Sequence, residues 1–372
     1  MTQQASTSSS TAPRQRYLGE PDAMAGRLVS LLKTLAEDRL LPLAALLARR
    51  GLVPSWAVAP AQAMSRTYVA AEEQKVRKEQ HVLSALGTAG GRTLVLKGAL
   101  LARTVYAGLG HRIRTDLDVL IAQDSVPAAA AVLRGIGLQL AQAVPGNVSL
   151  AEQAWVDRRS GSTWSVDLHW QLLMHPAFAS TFSFQELWDE SIPLPDLPNE
   201  VRGLSPKHAF LHACLHYYSG GQHRGGRAPL VWVLDMDLIW RELDENDRNA
   251  VISLAIDRGF ASFVAAALRL AEGKFQTPVD PATVDRLETA GIKEWRAWLL
   301  RPFQSKLHDA LFEIRSEPNV AAKVRRLAAM LFPAAGYMKS KYPDGSVFGL
   351  PGLYLRRIVN GLRRYLPQTK SG

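Results

Sequence analysis

The sequence predicts an α+β protein in which a group of strands lies between two helical regions. Before residue 88 the apolar residues recur at helical spacing, as in Leu28, Leu31, Leu32 and Leu35. After Gly90-Gly91, short apolar or alternating runs of strand length take over. Beyond a proline-rich joint at 193–206, helical patterns return and continue to about residue 331.

The central region predicts strands and helices in alternation. We expect strands at 93–96, 116–121, 138–144, 149–156 and 163–170, with a hairpin turn at 158–161, and helices at 99–108 and 128–136. Ser125-Val-Pro127 is typical of a helix start, and Ser205-Pro206 is another. In the N-terminal region we expect Pro54 and Pro60 to break the helical pattern.

The chain is long enough for two or three domains, with 372 residues of which 47% are apolar. We divide it into a disordered leader (1–20), an N-terminal helical region (21–87), a catalytic domain (88–200), a C-terminal helical domain (201–345) and a basic amphipathic helix with its tail (346–372). The leader lacks the apolar run of a signal peptide, and no apolar stretch is long enough for a transmembrane segment. With Cys214 as the single cysteine, we expect a cytoplasmic protein without disulfides.

Almost all of the formal net charge of +10 lies at the C-terminal end. From Pro318 onward there are ten Lys and Arg residues and one acid, Asp344. In a helical projection Leu355 and Val359 share one side, and Arg356 and Arg357 lie on the other. The leading interpretation is a terminal helix docked through its apolar face; binding to an anionic membrane or to a nucleic acid is the alternative.

The segment Asp116-Leu-Asp-Val-Leu-Ile121 carries the strongest functional signal. Residues two apart in a strand point to the same face, so Asp116 and Asp118 project together. Two adjacent carboxylates repel each other unless a cation lies between them. Magnesium held by carboxylates and substrate phosphates is the usual solution, whereas the structural alternative is a pair of aspartates at an exposed strand end.

Three further candidates surround this pair. Lys97-Gly98 lies between a strand and a helix, where free backbone N–H groups and a positive side chain suit a phosphate. Arg114 either contacts phosphate or pairs with Asp116. On the run 163–170, Asp167 and His169 share a face, so that Asp167 becomes a third carboxylate of the site if this strand pairs near the first.

Taken in order, these motifs resemble the DNA polymerase β-like nucleotidyltransferases, and more closely their "uncharacterised nucleotidyltransferase" group. The resemblance rests on Leu96-Lys-Gly98, Asp116-Leu-Asp-Val119, Val166-Asp-Leu-His-Trp170, a helix with His212 and His216, and Leu234-Asp235. It covers residues 25–365 approximately and implies a mixed sheet with helices.

The resemblance also implies two-metal nucleotidyl transfer from a nucleoside triphosphate. Asp116, Asp118 and Asp167 would bind two Mg²⁺ ions, and Lys97, Gly98, Arg114 and His169 would contact the nucleotide. Ala99 departs from the wider pattern, in which a serine hydroxyl after the glycine contacts phosphate. The acceptor stays open among small molecules, peptides, proteins and RNA ends, and the alternatives are phosphotransfer or a catalytically silent nucleotide- or nucleic-acid-binding module.

The substrate pocket has weaker candidates. His212 and His216 are four residues apart on one helix face, but the segment lacks the glutamate of the metalloprotease motif, which argues against zinc binding. The leading interpretation is a partly buried pair packed toward the cleft, and a role in the substrate pocket is the alternative. For Asp235 and Asp237 a structural role is the leading interpretation, and Asp235 is an alternative candidate to orient one of these histidines. Arg224, in a glycine-rich loop at 220–227, is a candidate phosphate contact, whereas a mobile surface loop is the leading interpretation.

Overall fold

A computed structural model of the protein describes eight segments of the chain. They comprise residues 21–106, 108–141, 151–158, 164–219, 228–301, 306–333, 335–342 and 349–365. The predicted leader at 1–20 and the loop 220–227 with Arg224 lie outside the described residues.

Helices occupy the region before the sheet, as predicted. They are α1 (Pro21–Glu37), α2 (Ala44–Arg49) and α3 (Val58–Thr88), with 3₁₀ turns at Leu41–Leu43 and Ser55–Ala57. The prediction that Pro60 breaks the pattern is wrong, because Pro60 lies in the first turn of α3. A backbone N–H at that position has no intrahelical partner in any helix, so the proline costs no hydrogen bond.

The strands form one mixed sheet of seven, in the order β3-β4-β5-β2-β1-β7-β6. They are β1 (Thr93–Val95), β2 (Asp116–Ile121), β3 (Gln139–Leu140), β4 (Glu152–Val156), β5 (Ser165–His169), β6 (Ile192–Pro193) and β7 (Val201–Gly203). β1 runs antiparallel to β2 and parallel to β7. β4 and β5 form the antiparallel pair that the predicted hairpin requires, while residues 159–161 of its predicted turn lie outside the described residues. β6 begins one residue before the predicted proline-rich joint, and β7 lies within it.

The helices within this region lie close to their predicted positions. They are α4 (Lys97–Thr104), α5 (Val126–Gly135) and α6 (Phe184–Asp189). α4 begins two residues earlier than predicted, directly at Lys97. The hydroxyl of Ser183 caps α6 by accepting a hydrogen bond from the Glu186 N–H.

One hydrophobic core joins the sheet to the helices on both sides of it in the sequence. Leu117 and Val119 of β2 and Val166 and Leu168 of β5 are fully buried, as the alternating pattern predicts. At Gly87 in α3, an added Cβ would lie 2.8 Å from Pro198 Cβ, so a side chain there would push α3 away from the chain leading into β7.

The chain beyond the sheet is helical. The helices are α7 (Pro206–Ser219), α8 (Val231–Glu242), α9 (Glu245–Asp257), α10 (Ala261–Phe275), α11 (Pro281–Gly291), α12 (Lys306–Ser316), α13 (Val320–Leu331), α14 (Ala335–Lys341) and α15 (Gly349–Tyr365), with a 3₁₀ turn at Trp295–Leu300. α7 begins at Pro206, as predicted. Cys214 is buried in α7.

The basic C-terminal helix α15 is present, but it does not dock through the predicted residues. Leu355 is 63% exposed and Val359 38%, whereas Leu353 is buried and the Tyr354 hydroxyl donates a hydrogen bond to the Pro333 carbonyl. The docking interpretation is therefore wrong for Leu355 and Val359, and contact with an anionic membrane or a nucleic acid stays a prediction. Within the described segments, no helix has the length and apolarity needed to cross a membrane.

Candidate active site

Strand pairing brings the predicted carboxylates together. β2 and β5 are parallel, and their register places Asp118 opposite Asp167 and Asp116 opposite Ser165. Partners in register point to the same face of a sheet. Asp167 was expected to join the site if its strand paired near the strand of Asp116. The structure meets this condition.

Asp118, Asp167 and His169 form the most compact group. One ligand atom from each lies within 4.8 Å of the others. Asp118 and His169 are buried and Asp167 is partly exposed. Asp116 shares the face but lies outside this group, so the structure brings in His169, which the sequence analysis placed at the nucleotide, as a candidate metal ligand.

Lys97 neutralises Asp118. Its Nζ lies 2.7 Å from Asp118 Oδ1, and His169 Nε2 lies 2.9 Å from the same oxygen. The Leu96 N–H donates to the Asp118 carbonyl, which extends the β1–β2 pairing and holds Lys97 against the carboxylate. Lys97 has a φ of 47°, in the left-handed region. A non-glycine residue there costs about 1–3 kcal/mol, and such strain is frequent at functional sites.

The carboxylates differ in their electrostatics. Burial, followed by the charges of Asp118 and Asp116, raises the pKa of Asp167 to about 6. Burial and the charge of Asp118 also raise the pKa of Asp116. For Asp118, burial alone would raise the pKa, but Lys97 and His169 outweigh it and hold the pKa well below its ordinary value. Lys97 and His169 both lie against Asp118. The negative charges of Asp116 and Asp167 are therefore less well neutralised.

This donor set fits a divalent cation. Carboxylate oxygens are the preferred ligands of Mg²⁺, and the raised pKa values of Asp116 and Asp167 show that the protein alone does not compensate their charge. The buried Nδ1 of His169 has no hydrogen-bond partner among the described residues, although Glu152 Oε2 lies 3.3 Å away. Nδ1 of His169 is therefore a ring nitrogen that an ion could use as a ligand.

A cavity of about 270 Å³ adjoins the carboxylates. Its lining includes Lys97, Gly98, Asp116 and Asp118 from the sheet side, His212, Ala213 and His216 from α7, Trp232 and Asp235 from α8, and Arg39 from the turn after α1. Of the predicted metal, phosphate and pocket residues that the structure describes, all meet at one cavity except Asp167 and His169, which adjoin it through Asp118.

The histidines form a neutral aromatic wall. The ring centroids of His212 and His216 are 5.8 Å apart, and those of His216 and Trp232 are 4.9 Å apart. Burial, with the charge of Lys97, lowers the pKa of His212 to about 3, and the same causes lower that of His216. The buried His212 Nε2 has no hydrogen-bond partner among the described residues. The pair therefore offers uncharged surface and a polar atom to a bound group.

Arg114 is held by protein groups. Its Nε donates to Glu79 Oε1 at 2.7 Å, and its Nη1 donates to the carbonyls of Leu109 and Arg112. The side chain is 1% exposed, and its ion pair is with Glu79 and not with Asp116. This arrangement favours the structural interpretation of Arg114 over phosphate binding.

Gly98 makes room for this arginine. A Cβ at Gly98 would lie 2.9 Å from Arg114 Cγ, closer than real side chains approach. The need for glycine here therefore comes from the packed arginine, while the left-handed backbone is at the preceding residue, Lys97.

Asp235 serves a different partner from the one predicted. It accepts hydrogen bonds from Arg112 Nε at 2.8 Å and Nη2 at 2.6 Å, and from the Tyr106 hydroxyl at 2.6 Å. The alternative in which Asp235 orients a histidine is thus wrong, because both carboxylate oxygens are used by Arg112, and the favoured structural role is the one observed. The network ties α8 to the chain entering β2.

Arg39 and Trp232 are cavity residues that the sequence analysis missed. Neither belongs to a recognisable motif, and Arg39 is far from the carboxylates in the chain. Arg112 carried a weak signal, since Arg112-Ile-Arg114 directly precedes the aspartate pair.

A family model described as "Uncharacterised nucleotidyltransferase" matches residues 28–276. The matched segment contains every described residue of the cavity lining. The chain has no match among curated proteins.

Proposed function

The chain belongs to the uncharacterised nucleotidyltransferase family, and from that premise we propose that it transfers a nucleoside monophosphate from a nucleoside triphosphate to an acceptor. The acceptor oxygen or nitrogen bonds to the α-phosphorus, and pyrophosphate leaves. The match confirms the family resemblance found in the sequence, while the polymerase β-like fold and the two-metal mechanism belong to the proposal. The observation that carries it is the register of β2 and β5, which sets Asp118 beside Asp167 with His169 in contact.

Asp116, Asp118 and Asp167 would hold two Mg²⁺ ions, and His169 is a further candidate ligand. Magnesium, when bound, neutralises phosphate charge and stabilises the attacking and leaving oxygens of an in-line displacement. The carboxylates would hold these ions in fixed positions, because both strands are paired in the sheet.

Lys97 has two roles in this proposal. In the resting protein its ammonium group is the counter-ion of Asp118. When a nucleotide enters, Lys97 would turn to a phosphate oxygen, and the first turn of α4, with Gly98 and Ala99, would offer its free N–H groups. A backbone donor and a lysine thereby replace the serine hydroxyl that Ala99 lacks.

Asp167 would accept the proton of the attacking hydroxyl or amine at a carboxylate oxygen. A carboxylate within reach of the attacking group can act as its general base. The neutral wall of His212, His216 and Trp232 would receive an uncharged part of a substrate, either the base or the acceptor.

The test is transfer itself. Purified protein is incubated with Mg²⁺, each labelled nucleoside triphosphate and panels of small alcohols and amines, peptides and proteins, and products are identified by mass. Asp118→Asn is expected to lower the rate by more than about a hundredfold, since loss of an outer-shell contact alone costs up to that much. Asp124→Asn, at an exposed position just after β2, is the matched control.

Two outcomes separate the alternatives. If Asp116→Asn and Asp118→Asn both retain full transfer activity, the assigned site is wrong. If no nucleoside triphosphate raises the melting temperature in Mg²⁺ while a nucleic acid binds in a salt-dependent manner, the catalytically silent module is the better description.

A further inference from the structure

Arg39 occupies the wall of the cavity from outside the sheet. It lies two residues beyond the end of α1 and is partly buried. Among the described residues it forms no hydrogen bond through its side chain and no direct ion pair, although the charges of Asp116, Glu72 and Asp235 act on it from a distance.

The other cations of the cavity are matched by carboxylates. Arg112 forms a two-point pair with Asp235, Arg114 is paired with Glu79, and Lys97 with Asp118. Within the described part of the chain, Arg39 is therefore the cavity cation whose hydrogen-bond donors are not used.

Arg39 has an energetically unfavourable backbone conformation. Its φ of 57° is left-handed. The Leu40 N–H donates to the Leu35 carbonyl at 2.7 Å and the Arg39 N–H to the Ala36 carbonyl at 3.0 Å. This is the pair of bonds that ends many helices with a left-handed residue, which is usually glycine because a Cβ is disfavoured there.

The turn is also fixed from its other side. The Leu230 N–H donates to Asp38 Oδ1 at 3.3 Å, and the Val231 N–H donates to the Asp38 carbonyl at 3.2 Å. These bonds join the end of α1 to the start of α8, the helix that carries Trp232 into the same cavity. The backbone of Arg39 is therefore held in place by both α1 and α8.

The charges of Asp116, Glu72 and Asp235 offset only part of the cost of burying this guanidinium. Burial and the neighbouring positive charge of Arg112 lower the pKa of Arg39, which shows that its environment disfavours the charge. A planar guanidinium with free donors matches two oxygens of a phosphate group.

We propose that Arg39 binds the phosphate chain of the nucleoside triphosphate, as a second cationic contact beside Lys97. This inference rests on the proposed function and adds a residue from the N-terminal helical region to the site. Arg39 would hold the phosphates in the cavity and neutralise part of their charge.

The experiment measures binding by calorimetry in Mg²⁺ with two probes: inorganic tripolyphosphate, which has no base, and each of the four ribonucleoside triphosphates. Arg39→Gln and Arg39→Gly are expected to weaken both by about tenfold to a hundredfold, the usual value of a charged hydrogen bond. Arg39→Lys should recover part of the affinity. Arg286→Gln, at an exposed position in α11, removes the same charge away from the cavity and should change neither.

Stability gives an independent reading. Because glycine adopts a left-handed φ freely, Arg39→Gly should melt about 1–3 °C higher than wild type while binding phosphate more weakly. Weaker binding by Arg39→Gly without a loss of melting temperature cannot come from a damaged fold, and unchanged binding would overturn the proposal.

The outcomes distinguish this inference from the proposed function. If wild type binds the triphosphates and Arg39→Gln binds them equally well, the role of Arg39 is wrong and the function stands. If wild type binds neither tripolyphosphate nor any nucleoside triphosphate, both are overturned.

Discussion

Lys97 and Asp118 form a half-buried ion pair at the start of α4, with Nζ 2.7 Å from Oδ1. The ammonium thus occupies a place beside the carboxylate that a metal ion would also favour. Each cation should then be able to replace part of the effect of the other on the stability of the fold.

Replacing Lys97 with methionine should make this exchange measurable. Without Mg²⁺, Lys97→Met is expected to lose about 1–3 kcal/mol of unfolding free energy, somewhat less than a fully buried pair would lose. Adding Mg²⁺ should stabilise the variant more than wild type. Urea unfolding with EDTA and with Mg²⁺ gives both values, and Lys78→Met, exposed on α3, is the control; an equal Mg²⁺ effect in the variant and wild type would argue against the exchange.

In the absence of metal, Asp167→Asn should raise the free energy of unfolding, whereas Lys97→Met should lower it. Asp167 lies in register with Asp118 and shares a face with Asp116, so its charge opposes folding unless a cation is bound. In EDTA we expect the variant to be more stable than wild type by about 1–2 kcal/mol. In Mg²⁺ this advantage should vanish together with transfer activity. A variant destabilised in EDTA would show that Asp167 is part of a favourable network instead.

His212 predicts a pH dependence of stability. Its pKa is about 3 in the folded protein and near 6.5 when unfolded, so between these values the unfolded state binds more protons. Its contribution is therefore present above pH 6.5 and lost as the pH falls towards 3. At pH 5 the contribution of His212 to the free energy of unfolding should be lower by about 2 kcal/mol than at pH 8.

This dependence is isolated by comparing variants. His212→Gln should show a smaller loss of unfolding free energy between pH 8 and pH 5 than wild type, by about the amount above. His81→Gln, an exposed position on α3, should leave the difference unchanged. Parallel pH profiles for wild type and His212→Gln would remove His212 as its source.

Asp235→Asn should destabilise the fold more than any comparable surface change. It leaves the buried guanidinium of Arg112 without its counter-ion, which costs about 3–5 kcal/mol. Asp285→Asn removes an exposed acid that is 72% accessible beside Arg269, and should cost less than about 1 kcal/mol. Chemical denaturation measures both, and similar losses would mean that the Arg112 pair is not a structural anchor.

The sequence predicted those parts of the site that depend on local patterns. The alternation in 116–121 fixed which residues share a face, and the same rule paired Asp167 with His169. It could not establish that β2 and β5 are parallel neighbours, because the residues between them allow several strand orders. Only that pairing turns three separate acids into one site.

Long-range partners account for most of what was missed. Arg114 could have paired with Asp116, its near neighbour in the chain, yet its partner Glu79 comes from α3. Asp235 similarly pairs with Arg112 and not with the closer histidines. Arg39 enters the cavity through a helix end with arginine where glycine is usual, so even the turn lacked its common signal.

The division of the cavity between the sheet and the helices has an evolutionary consequence. The carboxylates come from β2 and β5, whereas the uncharged wall comes from α7 and α8. Substitutions in the helices can reshape the wall while the strand register, and with it the chemistry, is inherited intact. Relatives with the same acidic strands could thus diverge in the molecules they modify, and differences among them should concentrate at the positions of His216 and Trp232.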